Sequence, residues 1–494
     1  MIARLNGPDC WGGQSNDCPP LIFAHHNFLQ RRLGILSGQT QVILATAIFL
    51  ITYAVIVSEK IHRTVAALCG AAAVILAGVI TPELAVHYVD WNTIGLLTGM
   101  MVIVGITRET GIFEFLAIRA AKAARGEPLR ILSALSLVTA VLSAFLDNVT
   151  TVLLIVPVTF AIAGKLGVSP LPFLIAEILA SNIGGTATLV GDPPNIMIGS
   201  AVGLGFMDFV INLAPVVVVI YALTVFILRH IYRRDLAARP ERQKSITELD
   251  EWAEIKDPSL LKPCLWVLGL TVTGFVLHQY VHLESSVVAL SGAALLLLVT
   301  RFDPEHALHT VEWPVIFFFI GLFALVGALE EAGVIESVAH FALEVTGGQL
   351  LPAGLLILWL SALASAFVDN IPFVATMIPL IQDMGRLGGI ENLNFLWWSL
   401  SLGACLGGNG TVIGASANVV VVGMAEKRGL PISFLGFLKV AFPLMILSII
   451  ISTAYLYAWL QFNTTAVLLA TTAAGLGLSA LLHLVSRRPA PEKR

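Results

Sequence analysis

Apolar runs long enough to cross a bilayer follow one another from Gln41 almost to the end of the chain, with short polar stretches between them. About 20 apolar residues of helix span about 30 Å of hydrocarbon. The pattern predicts segments at 41–58, 64–80 and 92–107, then a basic amphipathic stretch at 111–126. A run at 130–164 is interrupted at Asp147-Asn148 and one at 171–203 by Gly184 to Asn195, and a segment at 208–230 closes the series. After a polar linker the series restarts at 263–280, 286–300 and 314–329, with interrupted runs at 350–382 and 395–424 and a segment at 432–459. A last apolar stretch at 463–485 has no counterpart in the first half.

The second series repeats the first. A shift of 222 residues lays Trp91 on Trp313, Gly99 on Gly321, Glu109 on Glu331, Asp147-Asn148 on Asp369-Asn370 and Pro157 on Pro379. One residue more lays Gly184-Gly185 on Gly407-Gly408, Thr188 on Thr411, Gly191 on Gly414 and Asn195 on Asn418. Apolar matches mean little among membrane helices, but matched Trp, Asp-Asn, Gly-Gly and Asn mark a duplicated unit. The expected organisation is a poorly ordered N-terminal extension at 1–40, a first transmembrane repeat at 41–230 and a cytoplasmic linker at 231–262. A second, inverted repeat follows at 263–459, then a C-terminal transmembrane helix and basic tail at 460–494.

Composition agrees with an all-α polytopic membrane protein: 57% of residues are hydrophobic and 12% charged, against about 25% charged in soluble globules. The net charge of −4 decides nothing; the placement of the basic residues does. Cytoplasmic loops collect Lys and Arg. Place the N-terminus outside and let the runs at 130–164 and 350–382 each enter and leave by one face. The basic residues of 108–130, of the linker and of the tail then all fall in the cytoplasm, with the C-terminus. Each repeat crosses an odd number of times, so the second lies upside down relative to the first. The plasma (inner) membrane is the expected location. Residues 1–38 lack the pattern of a secretory signal. Cys69, Cys264 and Cys405 lie in apolar segments, and Cys10 and Cys18 could pair only in an oxidising compartment. The five cysteines show no metal-ligand spacing. No cofactor, metal or nucleic-acid partner is indicated.

Charged residues at membrane depth are functional hypotheses by default. Inverted repeats with interrupted segments at corresponding positions point to a transporter site near the midplane. Irregular backbone there needs protein or water to satisfy it, and its half-helix ends offer N–H groups to anions and carbonyls to cations. The expected cavity takes Asp147, Asn148, Thr150 and Thr151 from the first tip and Asp369 and Asn370 from the second. The first break contributes Thr186, Thr188, Asp192 and Asn195, the second Asn409, Thr411, Ser416 and Asn418. Asp147, Asp369 and the mid-segment Glu177 are the proton-coupling candidates, since a buried carboxylate needs a proton or a cation beside it. Plainer roles compete. The tip Asp residues could cap half-helices, Asp192 could do the same, and Glu177 could serve a structural ion pair. Cys405 could bind a thiophilic solute or simply pack. Thr150-Thr151 becomes Pro372-Phe373 and Asp192 becomes Ala415 in the second half, so the site is expected to be asymmetric.

Ser143 to Thr151, followed by Asn182 to Asn195, resembles the arsenical pump membrane protein (ArsB)/P protein group of the ion transporter superfamily, related to NhaD-type antiporters and divalent anion:sodium symporters. The resemblance spans about 42–459. It implies a scaffold and a transport domain, a homodimer formed through the scaffold, and elevator-type movement of the transport domain. A soluble ATPase partner, as some arsenite pumps have, goes with it. Relatives with sodium-coupled dicarboxylate substrates carry Ser-Asn-Thr at the tips, where this chain has Asp-Asn-Val-Thr and Asp-Asn-Ile-Pro. An added carboxylate repels an anionic substrate.

The reading that follows is a secondary active transporter exporting arsenite or antimonite by proton antiport. Neutral arsenite suits Asn, Thr and backbone groups, and neither tips nor breaks carry an Arg or Lys counter-ion for citrate. The alternatives are a sodium/proton antiporter or a transporter of another small ion or carboxylate. An ion channel or an intramembrane enzyme is more remote, since Asp192 lacks the Gly-x-Gly-Asp setting of an intramembrane aspartyl protease and there is no His-Glu-x-x-His.

Overall fold

Short polar caps set where the helices begin, and apolar runs set how far they extend. In the computed structural model, residues 38–486 are described, apart from 59, 237–239 and 463. The expected N-terminal extension up to residue 37, with Cys10 and Cys18, and the tail after Ser486 lie outside the described residues. The first repeat comprises α1 (Gly38–Ser58), α2 (Arg63–Leu76), α3 (Pro82–His87), α4 (Trp91–Arg108) and α5 (Ile112–Ala123). The hairpin arms α6 (Pro128–Ser143) and α7 (Asn148–Leu166), the broken span α8 (Leu171–Gly185) and α9 (Pro193–Val202), and α10 (Phe206–Tyr232) complete it. The linker holds α11 (Pro240–Thr247) and a 3₁₀ turn, Glu251–Glu254.

The second repeat restates this order: α12 (Pro258–Leu277), α13 (Ser285–Thr300), α14 (Pro304–His309), α15 (Trp313–Glu331) and α16 (Val334–Thr346). Its hairpin is α17 (Leu350–Phe367) and α18 (Asn370–Gly388), its broken span α19 (Asn394–Gly407) and α20 (Ser416–Lys427), and α21 (Phe434–Gln461) ends it. The additional α22 (Thr464–Ser486) packs on α10. Seven of the described helices are long and apolar enough to cross a membrane.

Two short helices occupy stretches the apolar pattern leaves as turns. Thr81 and Asp303 cap α3 and α14, with Pro82 and Pro304 in the first turn, the arrangement that starts a helix. The second repeat also has α16, where the pattern suggests only a loop without basic residues; it is the partner of the amphipathic α5.

The repeats interlock rather than sit side by side. α2 packs on α15 of the other repeat, and α13 packs on α4 in the same way. α9 lies against hairpin arm α18, and α20 against hairpin arm α7. Such exchange of equivalent contacts is what a two-fold relation produces. Small residues permit the close approach. A Cβ on Gly99 would meet the Ala289 backbone at 2.6 Å, and one on Gly321 the Ala67 backbone at 2.8 Å. With three full passes, a hairpin that returns, a broken span and a last pass, each repeat crosses an odd number of times, so the two are inverted. α2 has only 14 residues, about 21 Å of helix.

The linker is strapped to the amphipathic α5. The Lys256 N–H donates to the Thr110 carbonyl at 3.0 Å, and the Trp252 ring lies 4.8 Å from Phe115. The Glu251 carboxylate accepts from Lys122, and from Arg119 at 2.8 Å. Lys122, the Glu251 backbone and Arg119 hold this carboxyl down at about 2. A lowered folded value stabilises the docked linker above the ordinary carboxyl range, and that contribution is lost as pH falls through about 2. Docking should therefore be insensitive to pH between about 5 and 8. Glu251→Gln should free the strap at neutral pH, seen as several-fold faster trypsin cleavage at Lys244; an unchanged rate would mean that the ion pairs do not hold it.

Candidate functional site

Each hairpin tip and each helix break is held by the same bonds, placed by the same residues. Ser143 Oγ donates to the Ser181 carbonyl at 2.7 Å, and Ser365 Oγ to the Ala404 carbonyl at 2.7 Å. Thr188 and Thr411 donate to the carbonyls of Ala144 and Ala366 in the adjoining hairpin. Asn195 Nδ2 bridges its break by donating to the carbonyls of Thr186 at 3.1 Å and Thr188 at 2.8 Å. Asn418 Nδ2 does likewise to Gly408 at 2.7 Å and Thr411 at 2.8 Å. Four of the expected site residues, Thr188, Asn195, Thr411 and Asn418, thus satisfy unwound backbone that would otherwise be orphaned. Thr186 donates to the Asn182 carbonyl at 2.7 Å and belongs with them.

The remaining candidates divide by position. Asp147, Asn148, Asp192, Asn370 and Ser416 line one hollow of ≈30 Å³. That volume exceeds the 10–15 Å³ or so needed for one water, so the cavity suits an ion or a water and not an organic solute in this conformation. Leu97, Met101 and Val315 form part of its wall. Both tips and both breaks therefore reach one hollow. Thr150 lies behind it, donating to Asp147 Oδ2 at 2.5 Å through its hydroxyl and to Oδ1 at 2.8 Å through its N–H. Asp147 accordingly both caps α7 and faces the cavity. The buried Thr151 hydroxyl has no hydrogen-bond partner among the described residues. Glu177 is fully buried away from the cavity, where its Oε1 accepts from Thr159 Oγ1 at 2.5 Å.

Asp192 differs from Asp147. It stands at the N-terminus of α9 yet makes no capping bond with its side chain. Its carboxylate instead meets Asn370 Nδ2 of the other repeat at 3.3 and 3.5 Å, and the Cys405 thiol donates to Asn195 Oδ1 of the same break at 3.6 Å. The related polar cluster under the first tip is built from amides. Asn148 Nδ2 donates to Asn182 Oδ1 at 3.1 Å, and Asn182 Nδ2 donates to Asn409 and Asn418 at 3.0 Å each. The site is asymmetric: carboxylate and thiol on one side, amides on the other.

Two charged residues of the site come from outside the tips and breaks. Glu312, just before α15, lines the cavity. Arg63, at the start of the short α2, lines it as well and pairs with Asp369 Oδ2 at 2.5 Å. The expectation that the site has no basic counter-ion is thereby corrected. Arg63 reads as a loop charge in the sequence, but α2 begins inside the fold. Asp369 itself does not line the cavity; it adjoins through Ser416 Oγ, which donates to it at 2.7 Å, and through Arg63. A signal for Arg63 existed, since an Asp at membrane depth calls for a partner.

A family model described as citrate transporter (CitMHS) matches residues 53–403. The chain belongs to this family. An uncharacterized transporter of Mycobacterium bovis is 45% identical to it over 426 residues, covering 85% of this chain and 98% of that protein. The 46 kDa membrane protein of Mycobacterium leprae is 43% identical, covering 85% and 99%. The human P protein is 36% identical over 526 residues, 90% of this chain and 62% of that protein. Among solved structures, the YdaH transporter of Alcanivorax borkumensis shares the fold with a TM-score of 0.52 at 13% identity, covering 85% of this chain and 98% of that one. The chain is a multi-pass membrane transporter, as the pattern and the broken repeats imply. The expected place in the wider superfamily agrees with this at the level of the citrate-transporter family and of the likeness to the P protein.

Proposed function

We propose that the cavity is a cation site and that the protein exchanges a small monovalent cation, sodium first, for protons. The observation that carries this is the charge around ≈30 Å³ of space. Asp147, Asp192 and Glu312 line the cavity and Asp369 adjoins it, against the single cation Arg63, which is already paired. Unit charges 4 Å apart interact by about 4 kcal/mol at an effective dielectric near 20. One guanidinium cannot offset four carboxylates for an anionic guest, so citrate, the substrate in the family's description, fits this chain poorly. Backbone carbonyls of unwound helices commonly complete the shell of a coupling cation in such folds.

Export of arsenite or antimonite by proton antiport is the second reading. The Asn148–Asn182–Asn409–Asn418 amide cluster and the Cys405 thiol favour it, though a neutral trihydroxide requires the cavity to widen. The basic linker supports a cytoplasmic linker and C-terminus, with the N-terminus outside and the plasma membrane as location. The resemblance supports a homodimer and elevator-type movement of the hairpins and broken helices; a soluble ATPase is not needed for exchange driven by an ion gradient.

Purified protein in liposomes under an imposed pH gradient, offered sodium, lithium, potassium, arsenite, antimonite and citrate in turn, tests the choice. Sodium-dependent proton flux is expected, and Asp147→Asn should abolish it while folding is kept, because Asn also caps a helix well. Gradient-driven arsenite uptake without a sodium response would select the second reading.

A further inference from the structure

Arg63 belongs to two hollows at once. It lines the ≈30 Å³ cavity beside Asp147 and Asp192. It also lines a cleft of ≈320 Å³ that passes Ile56, His62 and Val420. Ser416 is shared by both hollows, and Asp369 faces the cleft. The three side chains tie together across the boundary. Arg63 Nη1 donates to Asp369 Oδ2 and to Ser416 Oγ, each at 2.5 Å, and Ser416 Oγ donates to the same Asp369 oxygen at 2.7 Å. The Phe318 ring backs the guanidinium, 5.2 Å from its carbon, in the range of a cation–π contact. The repeat gives a built-in comparison. The position related to Arg63 is Ser285, on the wall of a larger cleft of ≈720 Å³. One cleft is thus divided from the site by a charge, and the related one has a hydroxyl at that place.

We propose that Arg63 is a tethered cation that shuts the smaller cleft off from the cavity by occupying Asp369, and that an arriving cation or proton displaces it and admits the ion. A guanidinium keeps its charge in any physiological condition. The latch therefore yields only when something else satisfies Asp369. Arg63 would then set which ions reach the cavity from this side. The identity of the displacing ion rests on the cation-site reading above; the partition does not.

Cys405 supplies the reporter, because its thiol is fully buried and donates to Asn195 Oδ1 in the break that carries Asp192. In a full-length protein with Cys10, Cys18, Cys69 and Cys264 replaced by Ser, the rate of Cys405 modification by neutral methyl methanethiosulfonate reads the opening of the cavity. Arg63→Gln should raise that rate at least about tenfold without sodium. Asp369→Asn should do the same, and the double variant should be no faster than either, because the two substitutions break one link. Sodium at fixed pH, or lowered pH without sodium, should accelerate the parent protein and not Arg63→Gln; the two arms separate metal cation from proton. Asp369→Asn keeps the side-chain volume and stands in should Arg63→Gln fail to fold, as judged by its melting curve. Unchanged rates in both variants would overturn the partition. Acceleration by substitution but by neither sodium nor acid would overturn the displacement. A negative sodium flux result with the accessibility result intact would remove the exchange reading and leave the partition standing.

Discussion

Asp192→Asn is expected to raise the sodium concentration for half-maximal exchange by at least about 100-fold while leaving the fold in place. Removing a unit charge about 4 Å from a bound cation withdraws about 4 kcal/mol at an effective dielectric near 20, close to three decades of affinity. The fold should survive because the Asp192 side chain does not cap α9 and its partner is one weakly held amide, Asn370 Nδ2 at 3.3 Å. Asn keeps that volume and a carbonyl oxygen to accept from it. Half-saturation measured from sodium-driven proton flux, beside an unchanged melting temperature in detergent, checks both halves. A wild-type sodium dependence in the variant would remove Asp192 from the site.

The largest structural effect is expected at Gly184. A Cβ there would stand 2.1 Å from the Ala140 carbonyl oxygen, and at Gly407 one would stand 2.6 Å from the Ala362 carbonyl oxygen. These contacts are backbone to backbone, between a hairpin arm and the broken helix beside it, so no rotamer can relieve them. Overpacking of this kind costs about 1–3 kcal/mol, more where backbone must move. Gly184→Ala and Gly407→Ala should each lower the melting temperature and the yield of monodisperse protein. Gly164→Ala is the control, since nothing lies within 4 Å of a Cβ there. Equal melting for all three would mean that the hairpins are not seated on the broken spans as described.

Much of this arrangement is legible in the chain because its unusual residues are matched twice. Asp147-Asn148 against Asp369-Asn370, and Gly184-Gly185 against Gly407-Gly408, mark both tips and both breaks without any coordinates. What stays hidden is how the tips are completed. Arg63 begins an apolar helix after a polar turn, and only its pairing with Asp369 and its place in the hollow's wall bring it to the site. Glu312 stands just before Trp313-Pro314 and looks like an ordinary helix start. Asn182 escapes because its repeat partner is Cys405, so the alignment offers no polar match at that level. The roles within the breaks also need geometry. Asn195 and Asn418 read as ligands in a list of polar residues, yet the Nδ2 of each is spent on its own break's backbone and the Oδ1 of each accepts from a neighbouring side chain. Asp192, ambiguous between cap and ligand, makes no capping bond with its side chain, which is why it is proposed above as a ligand.

A cation site built from both repeats must trade protons for the ion it binds. Adding sodium to the purified, weakly buffered protein with a pH dye present measures that directly. Stoichiometric proton release from the wild type, absent from Asp192→Asn, is the predicted result. No release with sodium, lithium or potassium, in a protein that still binds arsenite or citrate, would contradict it.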